Sequence, residues 1–439
     1  MARTVLELPA ADPVAIFAPL ADDPLAVLLD SAAQGDPRSR YSYIAADPVD
    51  VLVGDGTSPF PHLAARLAAR HHATIDGLPP FQGGFAGWLS YDLGRHLERL
   101  PPPPPAQPRF PDCVLGEFNA VAAFDHQSGQ AWVIGEDKAA RHLRDRLMAA
   151  PALPPIKWRP GTQARPDLPR QQYQMRVAQV VDYIRAGDVF QANLAQRFTA
   201  TAPAGLSPFT LYRRMRQLAP GPFSAFVAGS GCALAAVSPE RFLSVDSHGQ
   251  VETRPIKGTR PRHSDSARDR ELAAELTGSA KDRAENLMIL DLMRNDLSRV
   301  CAVGSVHAPQ RMALESFPAI HHLVSVVAGR LRPDQNAVDL LQAAFPPGSI
   351  TGAPKIRAME IIAQLETAPR GPYCGAYGWI GDDGAMDLAV AIRVAAWRDG
   401  QVAIHAGGGI TADSDPVAEY DETLVKAGPI LRALAGEAS

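Results

Sequence analysis

The chain is built from many short apolar runs separated by turns, and this alternation restricts its possible folds more than any other feature. Before residue 150, the runs with the composition of β-strands are Tyr41–Ile44, Val49–Val53, Gly83–Leu89, Val114–Phe124 and Ala131–Ile134. Helical patterns lie among them at Pro61–Arg70 and Lys138–Ala149. Strand runs and helix runs interleave along the whole chain, and several strand runs are close enough to form hairpins. This arrangement favours antiparallel sheets with helices packed on them over a regular array of β–α–β units.

The C-terminal part contains the clearest helical patterns. Residues Gln171–Ala186 place apolar side chains three and four positions apart, and Gly187 follows as a C-terminal stop. Further helices are predicted at Asp269–Leu276, Ala284–Leu297, Ala337–Ala344, Ile356–Leu365 and Pro416–Leu434. Strands are predicted at Ala192–Ala200, Phe223–Ala228, Cys232–Val237, Arg241–Val245, Ala376–Ile380, Leu388–Trp397 and Gln401–Ala406.

Two proline-rich segments interrupt these patterns. Pro101–Pro105 is an unbroken run of proline, which excludes helix and favours an extended conformation. The second segment, Pro151–Pro169, is either a linker between an N-terminal region (1–150) and a C-terminal region (170–437) or a surface loop within one domain. The sequence leaves both alternatives open.

Charge and cysteine content exclude several classes of function. The chain has 43 Lys and Arg against 47 Asp and Glu, a net charge of −4, which argues against binding nucleic acid through a basic surface. Its four cysteines are scattered and form no CxxC motif, so neither a zinc ribbon nor a disulfide framework is expected. Neither a signal peptide nor a long uncharged apolar stretch is recognisable. We therefore expect a soluble cytoplasmic protein that does not contact membranes.

The segment Thr253–Arg262 concentrates one lysine and three arginines with two prolines and a glycine. A solvated basic loop is the simplest interpretation. The alternative is that Lys257 lies in a pocket on a rigid turn, where partial desolvation and neighbouring cations lower its pKa and make it a nucleophile.

Two helices each present a pair of carboxylates three residues apart. Asp282 and Glu285 form one pair, and Glu419 and Glu422 form the other, with Lys426 one turn further on. Salt bridges on a helix surface would explain either pair, for example between Glu285 and Arg283 or Arg294. Together the two pairs could bind a hard cation such as Mg²⁺, which takes a few carboxylates together with water and ligand oxygens.

Four further features could contribute to a binding site. The glycines of Ala406–Ile410 either form a tight turn or let backbone amides approach an anion. Arg393 interrupts an apolar strand and therefore needs an anionic partner. The His321–His322 pair could supply an acid or base, although one exposed and one packed imidazole would also explain it. The loop Pro346–Pro354 would present Thr351 near the start of a helix. No P-loop or dinucleotide-binding fingerprint occurs.

Six ordered motifs together resemble the chorismate-utilising enzymes, a family that includes the anthranilate, aminodeoxychorismate, isochorismate and salicylate synthases. The motifs are Pro255–Arg260, Lys281–Asn286, His321–Ser325, Ser349–Glu360, Ala391–Arg393, and Ala406–Ile410 with Ala418–Thr423. The resemblance is strong over Gln171–Ala435 and looser in the N-terminal third. It implies an α+β, four-layer α/β/β/α fold like that of anthranilate synthase, in which two antiparallel sheets pack together with helices outside. Region 1–150 would be the N-terminal anthranilate synthase-like part and region 170–437 the chorismate-binding part, intertwined in one fold.

Three positions favour one branch of the family. Aminodeoxychorismate synthases carry lysine at the position of Lys257, where anthranilate synthases typically carry alanine. Isochorismate and salicylate synthases place an acidic residue at the position of Arg254 and a lysine at that of Gln191. The resemblance therefore implies a transferase that converts chorismate and ammonia into 4-amino-4-deoxychorismate for p-aminobenzoate and folate biosynthesis. The alternatives are anthranilate synthase component I and a non-catalytic, tryptophan-binding regulatory subunit.

The resemblance also implies roles for individual residues. Lys257 would be the covalent nucleophile, Glu240 the general acid and base, and His322 a neighbour of the substrate's C4 hydroxyl. Mg²⁺ would be held by Glu285, Glu419 and Glu422, with Asp282 acting directly or through water. The remaining substrate contacts would come from Thr351, Tyr373, Arg393, Gly408, Gly409 and Lys426.

The resemblance also has implications for two other small molecules, ammonia and tryptophan. None of the four cysteines lies in a glutaminase-type nucleophile elbow, so a separate glutamine amidotransferase subunit is the expected source of ammonia. Leu28–Ser31, Arg40–Ile44 and Ala219–Phe223 correspond to the segments where relatives bind tryptophan. Ala219 and Gly221 depart from the usual pattern there, so tryptophan binding stays open.

Overall fold

The computed structural model describes residues 3–437, except residues 34, 55, 71, 158–160, 230, 318 and 319. Within these residues the strands are β1 (Thr4–Leu8), β2 (Ala26–Asp30), β3 (Tyr41–Ala46), β4 (Asp50–Val53), β5 (Gly84–Leu89), β6 (Cys113–Phe118), β7 (Ala120–Asp125), β8 (Gln130–Gly135), β9 (Arg165–Pro166), β10 (Gln191–Thr201), β11 (Phe223–Gly229), β12 (Cys232–Ser238), β13 (Arg241–Val245), β14 (Gln250–Thr253), β15 (Ile256–Pro261), β16 (His307–Ser316), β17 (Ile320–Arg330), β18 (Gly352–Ala353), β19 (Ala376–Gly381), β20 (Met386–Val390), β21 (Val394–Arg398) and β22 (Gln401–Ile410). The α-helices are α1 (Pro13–Phe17), α2 (Phe60–Ala69), α3 (Asp137–Met148), α4 (Arg170–Arg185), α5 (Pro208–Leu218), α6 (Ser266–Gly278), α7 (Ala280–Ser298), α8 (Ala337–Ala344), α9 (Lys355–Leu365) and α10 (Pro416–Ala435).

The described strands form two large sheets. The first has the order β1-β8-β7-β3-β2-β11-β12-β21-β22-β10-β18, with β9 paired to β10. The second has the order β15-β17-β14-β13-β20-β19-β5-β6-β4, with β16 paired to β17. Neighbouring strands run antiparallel at the junctions that unite the early and late parts of the chain, β2 with β11 and β5 with β19. Each sheet is therefore continuous across the two sides of the proline-rich segment.

The two faces of the first sheet bury side chains in different cores. In β11, Ala225 and Val227 join a core that includes Trp88 of the second sheet, whereas Phe226 joins a core formed with the outer helices. Helices α3, α5 and α10 contact the first sheet, and α6 and α7 contact strands of the second. Alternation of side chains along each strand thus supplies two buried faces. The predicted α+β fold, with two packed antiparallel sheets and helices outside, is confirmed.

Two of the predicted strands are wrong in the same way. The apolar run Val114–Phe124 is two strands, β6 in the second sheet and β7 in the first, separated at Asn119. The run Leu388–Trp397 is likewise β20 in the second sheet and β21 in the first, separated by Ala391–Arg393. The crossing residues Asn119, Ile392 and Arg393 are half-buried between fully buried neighbours, and one polar residue in each apolar run is too weak a signal to reveal the break.

Two buried carboxylates tie the N-terminal region to the second sheet. Asp382 pairs with Arg3 and Arg70, each at 3.0 Å, and its side chain is 1% exposed. Glu117 is equally buried and pairs with Arg70 at 2.8 Å and with Arg66 at 2.6 Å. Because every buried charge here has a partner, the cluster avoids the cost of an isolated buried ion.

Among its described residues, the proline-rich segment Pro151–Pro169 contains the short strand β9 and no helix. Residues 158–160 of this segment lie outside the described part of the chain. Among the described residues, no helix is both long and apolar enough to span a membrane.

Candidate active site

Lys257 lies at the start of β15, where the pairing with β17 is irregular between Ile256 and Thr259. Its Nζ donates a hydrogen bond to the backbone carbonyl oxygen of Ser349, 3.0 Å away. Burial lowers the pKa of Lys257, although the nearby carboxylates Glu285 and Glu240 oppose this effect. A lowered pKa increases the fraction of neutral amine, which is the nucleophilic form.

Glu240 lies between β12 and β13 and is 5% exposed. Burial raises its pKa from 4.5 to about 7, against the opposing effects of hydrogen bonds from the Ser349 side chain and the Ile256 amide and of the Lys257 charge. At neutral pH the carboxyl is therefore partly protonated. A group with this pKa can both donate and accept a proton near pH 7.

His322 is buried in β17, and its Nδ1 lies 3.0 Å from the hydroxyl of Thr259. Burial, followed by the charges of Arg38 and Arg393, lowers its pKa to about 4. The imidazole is consequently neutral at neutral pH. His321 is also buried. Its Nδ1 lies 2.7 Å from the Ser316 hydroxyl, and its Nε2 lies 3.1 Å from Oδ1 of Asp269. Both imidazoles are thus packed, contrary to the interpretation with one of them exposed.

The predicted metal ligands lie on two helices, α7 and α10. Glu285 forms an ion pair with Lys281 at 3.9 Å, not with Arg283 or Arg294. Burial raises the pKa of Glu285, and the charges of Asp282 and Glu422 raise it further. Burial also raises the pKa of Glu419, as does Glu422, while the Ser414 hydroxyl donates a hydrogen bond to Glu419 at 2.7 Å. The carboxylates of the two helices therefore interact electrostatically.

Gly408 shows how closely the α10 carboxylates approach the first sheet. A Cβ atom at Gly408 would lie 2.9 Å from Oε2 of Glu419 and 3.4 Å from Oε1 of Glu422. Glycine at this position leaves the two carboxylates room beside the strand. Lys426 pairs with Glu422 at 2.6 Å and donates to the carbonyl oxygen of Gly407 at 2.9 Å.

These residues fit a divalent cation in charge and donor type. Burial is the main cause of the raised pKa values of Glu285 and Glu419, and the charge of Glu422 raises both further, so a cation beside these carboxylates would relieve repulsion. Among the described residues, no group of three or more metal-binding side chains is already gathered around one point. Mg²⁺ does not require such a cage, because it retains water and takes oxygens from its substrate. Asp282 pairs with Arg260 at 3.3 Å.

The glycine motif does not form the tight turn that was one of its two interpretations. Gly408 and Gly409 lie within β22 and pair with Leu194 and Asn193 of β10. On its other side β22 pairs with β21 only from Gln401 to Ile404. Beyond that point the edge that faces away from β10 has no ladder partner among the described strands. The amides of Asn193 and Ala195 donate away from β22, so those of their partners Gly409 and Gly407 face this edge and are available to an anion.

Arg393 occupies the crossing between β20 and β21, with a positive φ of 53°. It therefore does not interrupt a single strand, as the sequence suggested. Burial lowers the pKa of its guanidinium. Within the described chain no hydrogen bond or ion pair engages this group, although its charge reaches His322. A half-buried guanidinium without a partner among the described residues can bind a carboxylate strongly.

Tyr373 and Thr351 are both buried. The Tyr373 ring stacks on His405, with centroids 5.2 Å apart and planes inclined by 10°. The Thr351 hydroxyl turns back to its own loop and donates to the carbonyl oxygen of Gly348 at 3.2 Å. Helix α9 begins at Lys355, so Thr351 lies four residues before it, in the loop that leads into the helix.

The structure adds residues that sequence reasoning did not select. Ser349 contacts Lys257 through its carbonyl and interacts with Glu240 through its hydroxyl. It belongs to a recognised motif, which was the available signal. Arg38 lowers the pKa values of both Glu240 and His322, and no local pattern marked it. Gln191 is 1% exposed, and its Oε1 has no hydrogen-bond partner.

A separate cavity of about 370 Å³ lies between the segments predicted for tryptophan binding. Its lining includes Asp30, Arg38, Tyr43, Phe223 and Trp379. Asp30 already accepts hydrogen bonds from Tyr212 at 2.6 Å and from Arg216 at 2.5 Å.

Comparisons with known proteins agree with this architecture. Residues 26–432 match a family model described as chorismate binding enzyme. The chain is 40% identical to aminodeoxychorismate synthase component 1 of Salmonella typhimurium, with 99% of each chain covered. It is also 40% identical to anthranilate synthase component 1 of Streptomyces coelicolor, over 96% of this chain and 86% of that relative.

A solved structure gives the same result for the fold. Anthranilate synthase component I of Streptococcus pneumoniae superposes with a TM-score of 0.81 at 32% identity. The superposition covers 90% of this chain and 92% of that chain.

Proposed function

Because this chain belongs to the chorismate binding enzyme family, we propose that it is a 4-amino-4-deoxychorismate synthase component I, which converts chorismate and ammonia into 4-amino-4-deoxychorismate. This would make it a transferase of p-aminobenzoate and folate biosynthesis. The observation that carries the proposal is the environment of Lys257. Its side chain is half-buried, its amine has a lowered pKa, and it lies near the carboxylates of Glu240 and Glu285.

The first step begins with the neutral amine of Lys257. Its Nζ attacks C2 of the chorismate ring, the ring double bonds shift, and the bond between C4 and the hydroxyl oxygen breaks. Glu240 gives its proton to the departing hydroxyl, which leaves as water, and the pKa of about 7 provides this proton at neutral pH. His322, uncharged because its pKa is about 4, contributes a hydrogen bond near the C4 hydroxyl.

In the second step ammonia attacks C4, the double bonds shift back, and the bond between C2 and Nζ breaks. Lys257 returns as a neutral amine, and the new C4 ammonium passes a proton to the Glu240 carboxylate. Both catalytic groups are restored, and the balance is chorismate plus ammonia giving 4-amino-4-deoxychorismate plus water. Two displacements of moderate barrier thereby replace one difficult substitution.

The substrate's two carboxylates need separate holders. We assign the ring carboxylate to Mg²⁺ held by Glu285, Glu419 and Glu422, with Asp282 acting directly or through water. When bound, the ion would neutralise negative charge on that carboxylate. The enolpyruvyl carboxylate is assigned to Arg393, Tyr373, Gly408 and Gly409, with Lys426 and Thr351 completing the anion site. The unpaired guanidinium of Arg393 is the main support for this second assignment.

Ammonia must come from outside this chain. All four cysteines are buried and none forms a disulfide, and burial raises the pKa values of Cys232, Cys301 and Cys374. A glutaminase needs an accessible thiolate, and buried thiols with raised pKa values are inert. We therefore propose a glutamine amidotransferase subunit as partner, consistent with the designation "component 1" of the relatives. Tryptophan in the cavity beside Asp30 remains a further proposal.

The test is an assay of the purified chain with chorismate, MgCl₂ and ammonium chloride. Added aminodeoxychorismate lyase should release p-aminobenzoate, which identifies the product. Anthranilate formed without the lyase would instead favour the second candidate, anthranilate synthase component I, to which the similarity with the Streptomyces coelicolor protein points. Absence of both products would contradict the proposal.

A further inference from the structure

Lys281 lies next to the proposed metal ligands and has no role in the mechanism proposed above. It is the second residue of α7, and its Nζ lies 3.9 Å from Oε1 of Glu285. Its charge also acts on Glu419, which belongs to α10. Lys281 therefore reaches carboxylates on both helices.

The backbone beneath Lys281 is fixed while its side chain is free to move. Ser279 caps α7 by accepting a hydrogen bond from the Asp282 amide at 3.2 Å, and Arg260 holds the Asp282 carboxylate at 3.3 Å. The Lys281 side chain, in contrast, is 52% exposed, and its ion pair with Glu285 is long. Its ammonium group can thus leave the carboxylates without any change in the fold.

Two other nearby lysines have additional backbone contacts. Lys426 pairs with Glu422, itself a proposed metal ligand, at 2.6 Å, but it is also anchored to the Gly407 carbonyl oxygen at 2.9 Å. Lys257 donates a hydrogen bond to the Ser349 carbonyl oxygen. Lys281 has no such anchor among the described residues, so its ammonium group can leave Glu285 more easily.

We propose that Lys281 is an exchangeable counterion, which neutralises Glu285 and Glu419 in the metal-free protein and is displaced when Mg²⁺ binds. This inference rests on the metal assignment in the proposed function. An ammonium group and a divalent cation compete for the same oxygens and repel each other, so the lysine weakens Mg²⁺ binding. When no metal is present, the positive charge of Lys281 reduces the electrostatic repulsion among the carboxylates around Glu285 and Glu419.

The test measures Mg²⁺ binding to the full chain by isothermal titration calorimetry, at low ionic strength and without substrate. Lys281→Met keeps the aliphatic stem and removes the charge. It should bind Mg²⁺ about two- to fivefold more tightly than the unaltered protein, as expected for loss of a partly exposed charge pair. The difference should shrink in ~0.5 M NaCl, because salt screens exposed charges.

Two variants separate this role from a general charge effect. Arg283 lies two residues after Lys281, is exposed and forms no ion pair among the described residues. Arg283→Met also removes one positive charge, but it should leave the Mg²⁺ affinity nearly unchanged. Lys281→Arg retains the charge and should not tighten binding. Thermal unfolding of each variant verifies that the fold is intact.

The possible failures are distinguishable. If the unaltered protein binds Mg²⁺ but Lys281→Met binds it equally or more weakly, the counterion role is wrong and the metal site stands. Tightening in Arg283→Met as large as that in Lys281→Met also overturns the role. If neither the unaltered protein nor Lys281→Met binds Mg²⁺ without substrate, Lys281 does not exchange with a metal ion and the inference fails, whereas the metal assignment is judged by chelation of the active enzyme.

Discussion

The Nζ atom of Lys257 donates a hydrogen bond to the backbone carbonyl oxygen of Ser349 across 3.0 Å. The hydroxyl of the same serine interacts with Glu240. One residue of the loop before α9 therefore orients both the proposed nucleophile and the proposed general acid. Substitution of Lys257 alone and of Glu240 alone can measure what each side chain contributes to catalysis.

Replacement of Lys257 should abolish the reaction without abolishing substrate binding. Lys257→Ala removes the nucleophile, so product formation at saturating ammonium should fall roughly a thousandfold or more. Chorismate should still bind, since Arg393 and the metal carboxylates are unchanged. Direct attack of ammonia at C2 would then give a little anthranilate, detectable by fluorescence.

Lys257→Arg tests the covalent role against a purely electrostatic one. Arginine keeps the charge but is not nucleophilic at neutral pH, so this variant should be as inactive as Lys257→Ala. Lys138→Ala, on an exposed face of α3, is the matched control and should retain full activity. Substantial 4-amino-4-deoxychorismate from Lys257→Arg would contradict a covalent intermediate.

Glu240 should determine how activity depends on pH. Because its pKa is about 7, the proton-donating form disappears as the pH rises through 7, and the rate of the unaltered protein should fall there. Glu240→Gln should lose about 10²–10⁴-fold of activity and should not show this decline. A pH profile of kcat for both proteins measures the effect, and an unchanged profile in the variant would exclude Glu240 as the acid.

The same residue should affect stability in a defined pH window. The folded state holds the Glu240 proton up to about pH 7, whereas the unfolded chain releases it near 4.5. Between these values the folded state binds more protons, so the Glu240 contribution to the free energy of unfolding falls as the pH rises from about 4.5 to 7. Glu240→Gln lacks this contribution. Denaturant unfolding of both proteins across the window should therefore show a smaller decline in the variant.

Removal of a metal carboxylate should mimic removal of the metal. Glu285→Ala and Glu419→Ala should each reduce activity about a hundredfold or more, and stringent chelation of the unaltered protein should do the same. Glu271→Ala, on α6, removes an exposed carboxylate and should change little. Full activity after chelation would be incompatible with the metal assignment.

Glutamine alone should give no product with the purified chain. The four cysteines are buried, so no thiolate is available to hydrolyse the amide. Addition of a glutamine amidotransferase subunit or of ammonium should start the reaction. Release of glutamate from glutamine by the chain itself, measured by a coupled dehydrogenase assay, would disprove this prediction.

The buried ion pairs of Asp382 should contribute strongly to stability. Asp382→Asn leaves Arg3 and Arg70 with one buried carboxylate fewer, so the free energy of unfolding should fall by about 3–5 kcal/mol. Asp413→Asn is the matched control, because Asp413 is exposed, and it should shift stability by less than about 0.5 kcal/mol. Equal denaturation midpoints for the two variants would show that the cluster is not stabilising.

The fold class and the family could be predicted from sequence because they depend on long patterns. Strand alternation and six ordered motifs extend over most of the chain, and the family match over residues 26–432 confirms the resemblance. The breaks at Asn119 and at Ala391–Arg393 could not be predicted in this way. Each lies where the chain leaves one sheet and enters the other between buried strands, so a single polar residue, Asn119 or Arg393, is all that marks it in the sequence.

The sequence singles out candidate site residues only where an unusual charge and a motif coincide, and their roles stay predictions. Lys257, Glu285 and Glu419 stood out because charged side chains next to apolar positions need an explanation. The environment of Lys257 depends on Ser349, which is 92 residues further along the chain. Likewise Arg38 affects Glu240 and His322 from far away in sequence, so only the folded structure brings these groups together.

The pairing of β2 with β11 and of β5 with β19 has a consequence for synthesis on the ribosome. When the first 150 residues have emerged, β2 and β5 are complete, but the strands that hydrogen-bond to them have not yet been translated. Both nascent sheets then end in open apolar edges, which invite pairing with other chains. Folding must therefore wait until β19 leaves the exit tunnel, and a fragment ending near residue 150 should aggregate rather than persist as a module.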